Sequence, residues 1–307
     1  TAFYSDPPMN SRFLPLVLLA GLSLPAALLT AQPASATFRP ALLESYSFSS
    51  GHTASSDLSR GGVLGSVKIT HFDFGFTGRT ALSESTLLLH GLAWARNSLD
   101  LSNGIYLPDA LDELSLSLGV QHRRSAQWSF GAYLRPGFYG DSLDLESDSF
   151  NAPLLATAIY TVSRELSWIF GFSANAASDN PFFPIAGVRW QYAPDWTLNI
   201  GFPRAGVAWR QSEQLTWNLG ATVQGGDYYI GEGLGSPAPG IGRLARTWLE
   251  YREIRLGVGA ECKLSEHVTL SADAGVAVDQ RFDYFDRGYE LKGESPLFVA
   301  LAIKGRF

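Results

Sequence analysis

The sequence predicts an all-β fold, a transmembrane antiparallel up-and-down β-barrel of about fourteen strands. Three observations predict it. Charge is scarce, at 17% of 307 residues, against about 25% in an ordinary soluble domain. Apolar and small polar residues alternate over runs longer than the five or six residues usual for globular strands. Short and long polar connections also alternate between those runs, as in membrane barrels.

The composition also sets exclusions. Aromatic residues at 13% argue against disorder, and the single Cys262 against a disulfide scaffold. Thirty-one glycines and the lack of heptads argue against a coiled coil. Past the N-terminal stretch, no segment reaches the roughly 20 consecutive apolar residues of a membrane helix.

Residues 13–38 carry no charge. Arg12 precedes the apolar run from Phe13 to Leu29, and Ala34-Ser35-Ala36 follows. This is the pattern of a signal peptide cleaved after Ala36, with Ala31 as the alternative site. A membrane anchor is the competing reading, disfavoured by Pro15, Pro25 and the small residues at the exit. Met9 reads as a start, which makes residues 1–8 an upstream extension. The expected organisation is therefore 1–36 as extension plus signal and 37–307 as one barrel domain. Removing 1–36 subtracts Asp6 and Arg12, so the net charge stays −6. That mild acidity disfavours nucleic acid as a partner.

The first strand is assigned to 40–49, followed by a polar loop at 50–62. Strands are then expected at 63–78, 84–97, 112–123, 126–139, 153–163, 165–177, 183–193, 195–203, 205–211, 214–226, 246–263, 266–280 and 296–307. The parity is clearest in Leu114, Leu116, Leu118 and Val120 against Ser115, Ser117, Gly119 and Gln121. It recurs in Leu215, Trp217, Leu219, Ala221 and Val223 against Thr216, Asn218, Gly220 and Thr222. The count is fourteen, or twelve if the short 195–211 pair does not span. The polar face is mostly Gly, Ser, Thr and Asn, which suits a barrel interior better than a fully solvated outer face. In 84–97 the faces are ambiguous, because Leu88, Leu92 and Trp94 share parity with His90 and Arg96.

Short turns are expected near 79–84, 123–127, 163–166, 193–195, 210–214 and 264–267. Longer loops are expected near 97–111, 140–152, 225–245 and 280–295. One tight connection, Phe202-Pro203-Arg204-Ala205, falls where a long one is due. Trp and Tyr gather near segment ends (Trp128, Trp168, Trp190, Tyr192, Trp196, Trp209, Trp217 and Trp248) as interfacial girdles do.

The last segment reads PLFVALAIKGRF, with Val299, Leu301, Ile303, Gly305 and Phe307 on one parity. An amphipathic strand with a terminal aromatic resembles the C-terminal signature of bacterial outer-membrane barrels. That resemblance implies Val299, Leu301, Ile303 and Phe307 as the signal read by the barrel-insertion machinery. Gly305 departs from it, since a large apolar or aromatic residue is commoner there. The runs FPIAGVRWQYAPDWTLNIGFPRAGVAWRQ (183–211) and LEYREIRLGVGAECKLSEHVTLSADAGVAVDQRFDY (249–284) resemble an uncharacterised family of outer-membrane β-barrels. The family is catalogued only as a domain of unknown function. The likeness covers most of 60–307 and implies fold and bacterial outer-membrane location, with outer-membrane lipid as surroundings. It implies no substrate and no catalytic residue.

Chemistry is hard to find. The five histidines (His52, His71, His90, His122 and His267) form no His-x-Ser pair of the kind an outer-membrane phospholipase needs. His267-Val268-Thr269 comes nearest and lies at a turn. Nothing has metal-ligand spacing, and the glycines around Asp227 and Glu232 lack a P-loop lysine. No enzyme activity and no cofactor are expected. The informative charges are those whose parity puts them inside: Arg189, Glu253, Arg255, Glu261, Lys263 and Asp273. In lipid, an Arg or Lys near mid-bilayer would cost about 2–4 kcal/mol. Either these residues form a paired network that stiffens the wall or they form a selectivity constriction. The functional expectation is a pore or passive transporter for small solutes of unknown identity. The alternative is a non-conducting structural or surface-interaction barrel acting through its loops. A hydrophobic-ligand transporter is disfavoured, because 37–62 is too short for both a first strand and a sizeable plug.

Overall fold

A computed structural model describes residues 41–307 except Asn103, Phe202 and Glu232. The expected signal segment and residues 37–40 lie outside the described residues. Seventeen strand segments form one sheet. They are β1 (Ala41–Ser59), β2 (Val63–Ser83), β3 (Thr86–Leu101), β4 (Ala110–Arg123), β5 (Trp128–Leu134), β6 (Gly137–Gly140), β7 (Phe150–Asn151), β8 (Leu154–Thr161) and β9 (Leu166–Ala174). There follow β10 (Phe182–Ala193), β11 (Trp196–Ile200), β12 (Arg204–Arg210), β13 (Leu215–Ile230), β14 (Thr247–Lys263), β15 (Val268–Tyr284), β16 (Tyr289–Gly293) and β17 (Leu297–Arg306).

Three breaks are proline breaks. Pro136 separates β5 from β6, Pro153 separates β7 from β8, and Pro296 separates β16 from β17. A proline has no N–H to give to the ladder. Its carbonyl still accepts, however, and the N–H groups of Leu116, Arg135 and Ala277 donate to Pro136, Pro153 and Pro296 at 2.9, 3.0 and 2.9 Å. The wall therefore consists of fourteen antiparallel strands, each pair of broken segments counting as one. The short β11 and β12 are both wall members, so the count is fourteen and not twelve. Closure runs from Ser45↔Arg306 to Thr53↔Phe298 between β1 and β17.

Four sequence boundaries need correction. The 50–62 stretch is mostly strand, because β1 continues to Ser59. β2 runs on to Ser83, past the expected turn at 79–84. β13 continues to Ile230, so the loop starts at 231. The expected loop 280–295 is largely two strands, since β15 reaches Tyr284 and β16 occupies Tyr289–Gly293. The reason is a change of solvent along the wall. Within the apolar band the strands put Leu256 and Val258 outside and Gly257 and Gly259 inside. Toward the long-loop end the order reverses. Arg252, Glu250, Arg281, Asp283, Glu290 and Lys292 take the outer face, and Leu249, Tyr251, Phe282, Tyr284, Tyr289 and Leu291 are buried inside. A polar stretch thus reads as loop although it is strand with a polar outer face, exposed at Lys292 and covered at Arg252 and Glu250. On β15 a bulge between Ala277 and Asp279 resets the parity at this level.

The same end of the barrel is also narrower. Strands β8 to β12 stop low, and the tall end of β13 crosses to β6 through a parallel bridge, Tyr229↔Gly140. Above that level the ring is β1, β2, β3, β4, β6, β13, β14, β15 and β16, nine strands among the described residues. A ring of about eight strands is just wide enough for side chains to fill. Filling is what the burial shows: Leu58, Leu111, Ile230, Leu249, Phe282, Tyr284 and Leu291 are all fully buried.

The opposite end is made of short turns on a repeated plan. Ser125, Ser163, Ser212 and Ser265 each accept two backbone N–H bonds from the residues two and three positions on, at 3.0–3.2 Å. A serine hydroxyl here does the work of a turn residue. Six of the eight tryptophans (Trp128, Trp168, Trp190, Trp196, Trp209 and Trp217) lie near this end, with Trp196 stacked on Trp209 at 5.7 Å. The aromatic residues thus form one strong girdle. Trp248 lies at the far end against Tyr229, and Trp94 lies mid-wall opposite Phe74. Gly305 also has its explanation. The ring of Tyr46 on β1 lies where a residue-305 side chain would go, and packs at 5.5 Å from Phe307.

Candidate functional site: the barrel interior

Register fixes which side chains face inward. Arg189 lies between Ser167 and Asn199, Glu253 between Gln224 and Gln280, and Arg255 between Thr222 and Ala277. Glu261 lies between Thr216 and Ser271, Lys263 opposite Thr269, and Asp273 between Gly259 and Ala300. These six residues fall into two environments.

Glu253 and Arg255 belong to a packed layer beneath the apolar core. Glu253 is 0% exposed and Arg255 5%. The Arg255 Nε donates to the Glu253 carboxylate, and its Nη2 donates to Thr53 Oγ1 at 3.2 Å. Glu253 also accepts from Tyr251 Oη at 2.9 Å, Gln280 Nε2 at 3.1 Å and Thr53 Oγ1 at 3.5 Å. The Arg255 guanidinium lies 4.8 Å from the Phe298 ring centroid. Each ion therefore has its charge partner and neutral partners too, which buried charges require.

Across the bore stands a second buried pair that was not singled out from sequence. Arg135 donates to Glu113 and to Ser115, and Tyr139 donates to the Arg135 carbonyl at 2.9 Å. Beside it His71 joins Asn97 at 2.9 Å and Asp73 at 3.1 Å, and Ser49 donates to Asp73. The signal was available in part. Glu113 has the parity of Ser115 and Ser117, and Arg135 has that of Ser129 and Gly131. Their pairing required the β4–β6 register, which a proline break hides.

Arg189, Glu261, Lys263 and Asp273 lie lower, toward the short turns. With them are Arg204, opposite Thr222, and Lys304, opposite Thr269. Arg204, Glu261, Lys263, Asp273 and Lys304 point inward by register, yet all are solvent-exposed. The fourteen-strand level therefore encloses a solvent-accessible vestibule, in contrast to the nine-strand level above it.

The loops complete the closure. Leu107 from 102–109 and Leu244 from 231–246 are buried in the apolar core, with Ile105, Tyr106, Leu234 and Ile241 packed against it. Tyr284 donates to the Tyr106 carbonyl at 3.2 Å, and Arg246 pairs with Asp148 at 3.2 Å. Among the described residues the plug is thus made by the strand ends and two loops. Among the described residues no group of three His, Cys, Asp or Glu is placed to hold a metal ion. The ambiguous β3 is also resolved: His90 and Arg96 face outward with Leu92 and Trp94. Arg96 meets Asp112 on the outer wall at 3.2 Å.

Residues 94–291 match the family model described as a domain of unknown function, DUF6268. The chain belongs to that family. No curated protein matches it in sequence. Among solved structures, the chain is similar to an outer-membrane channel from Pseudomonas putida F1. The two are 11% identical with a TM-score of 0.50, over 90% of this chain and 100% of that one. A Pseudomonas aeruginosa FadL homologue gives 10% identity and a TM-score of 0.46, over 86% of this chain and 90% of that one. The Pseudomonas putida toluene transporter TodX gives 10% identity and 0.43, over 95% of each chain. The first of these shares its β-barrel fold with this DUF6268 member.

Proposed function

We propose that this DUF6268 barrel sits in the bacterial outer membrane as a gated passive channel for small solutes. The observation that carries the reading is the solvent-exposed vestibule. A wall that served only as a scaffold has no need of fourteen strands around inward charges that remain in water. The long-loop end is the gate, held shut by the filled nine-strand ring and by Leu107 and Leu244. Short turns on one side and long loops on the other support the usual orientation, with the vestibule facing the periplasm. The terminal strand supports delivery by the barrel-insertion machinery, since Val299, Leu301 and Phe307 stand exposed on its outer face.

The alternative is a non-conducting barrel that works through its outer surface. It is favoured by one specific observation, the complete burial of the upper core. Planar-bilayer recording on refolded protein separates the two. A channel gives rare, small openings in the native chain. Openings become frequent when 231–246 is shortened and Phe282→Ala thins the core. No events in either form would establish the scaffold reading.

A further inference from the structure

We propose that the vestibule selects small anions, an inference that rests on the channel reading above and assigns its substrate class. The inward charges of the fourteen-strand level are unbalanced. Besides Arg79 and Arg210, which are paired with Glu44 and Asp195, six cations, Arg123, Arg189, Arg204, Lys263, Lys304 and Arg306, point inward by register with three carboxylates, Asp73, Glu261 and Asp273. None of these six cations forms a salt bridge among the described residues. The other inward carboxylates are already matched: Glu113 by Arg135, Glu253 by Arg255, and Glu44 by Arg79. Asp73 accepts from Ser49 and meets His71, and it stays in the count as a carboxylate.

The excess of three positive charges stands inside a chain whose net charge is −6. It is therefore a local property of the lumen and opposite in sign to the whole molecule. Cations in a water-filled cleft with low-dielectric walls concentrate the field and raise the local concentration of anions. Rings of Arg and Lys are how pores favour anions and phosphates. The remaining inner surface fits this use, since Thr197, Asn199, Thr216 and Asn218 can solvate an ion while contributing no charge. The assigned class is a small carboxylate- or phosphate-bearing solute, with chloride as the simplest probe.

Two measurements test it. In a potassium chloride gradient, currents through the refolded full chain should reverse at a potential showing chloride preference, and R204E/K304E should abolish or invert that preference. A cation-selective native channel would overturn the assignment and leave the channel reading standing. Absence of current in the native and loop-shortened forms would remove the channel reading instead. The second measurement needs no current. Ala208→Cys, inward on β12, is placed in a Cys262→Ser background. Its modification rates by a sulfonate and a trimethylammonium thiosulfonate are compared, each normalised to a free thiol. The anionic reagent should lead by about tenfold, and R204E/K304E should erase the lead. Equal rates, or a lead for the cation, would refute the anion-attracting vestibule even in a closed barrel.

Discussion

Replacing Arg255 by Met tests whether the interior layer is packed and dry. Glu253 is 0% exposed, so the substitution leaves a carboxylate buried without its counter-ion. Breaking one side of a buried pair costs about 3–5 kcal/mol. Three neutral donors, Thr53, Tyr251 and Gln280, remain on Glu253, which places the expected loss at the lower end, about 3 kcal/mol. That is more than a hundredfold in the folding equilibrium, at about 1.4 kcal/mol per tenfold. The double variant E253Q/R255M removes both charges and keeps similar volumes. It should recover most of the loss, ending within about 1 kcal/mol of the native chain. The assay is chemical unfolding of protein reconstituted in phospholipid vesicles, followed by tryptophan fluorescence, with heat-modifiable gel mobility as a check on folding. A loss below about 1 kcal/mol for R255M would show that water reaches the pair. A double variant whose loss equals the sum of the singles would show the same. Either result would refute the closed upper level.

Phe282→Ala removes a fully buried ring stacked 4.9 Å from Tyr251. It should lower unfolding stability by about 3–5 kcal/mol while raising channel open probability. Gly305→Phe restores the commoner C-terminal residue but drives it into Tyr46. A loss of about 1–3 kcal/mol is expected, with relief in Gly305→Phe/Tyr46→Gly, both read by unfolding midpoints. Ser212→Ala deletes a hydroxyl that accepts from Gln214 and Leu215. A loss of about 0.5–1.5 kcal/mol should appear in the same assay. Trp209 and Trp217 should be quenched by lipids brominated near the headgroup more than by lipids brominated at the chain ends; the reverse depth order would move the girdle off the interface.

Much of the wall was legible because lipid imposes a period. Leu116, Leu118 and Val120 face out and Ser115, Ser117 and Gly119 face in. A one-residue slip would place every serine in hydrocarbon, so the parity is strongly specified. The same rule assigned Arg189, Glu253, Arg255, Glu261, Lys263 and Asp273 to one side of their strands. It failed where its cause ended. Beyond the apolar band, water is outside and a core is inside, so Arg281-Phe282-Asp283-Tyr284 alternates with the opposite meaning and looks like loop.

The scarce charge, the terminal aromatic strand and the rhythm of turns were therefore determined by the sequence itself, since each answers to a neighbour in the chain or to the surrounding lipid. The tertiary structure alone decided that five wall strands stop short and that Tyr229 reaches Gly140, which leaves a nine-strand ring over a fourteen-strand one. That difference in circumference follows from pairings between residues almost ninety positions apart. It seals Glu253 and Arg255 in a packed layer while Arg204 and Lys304 remain in water, a contrast that no local pattern in the chain encodes.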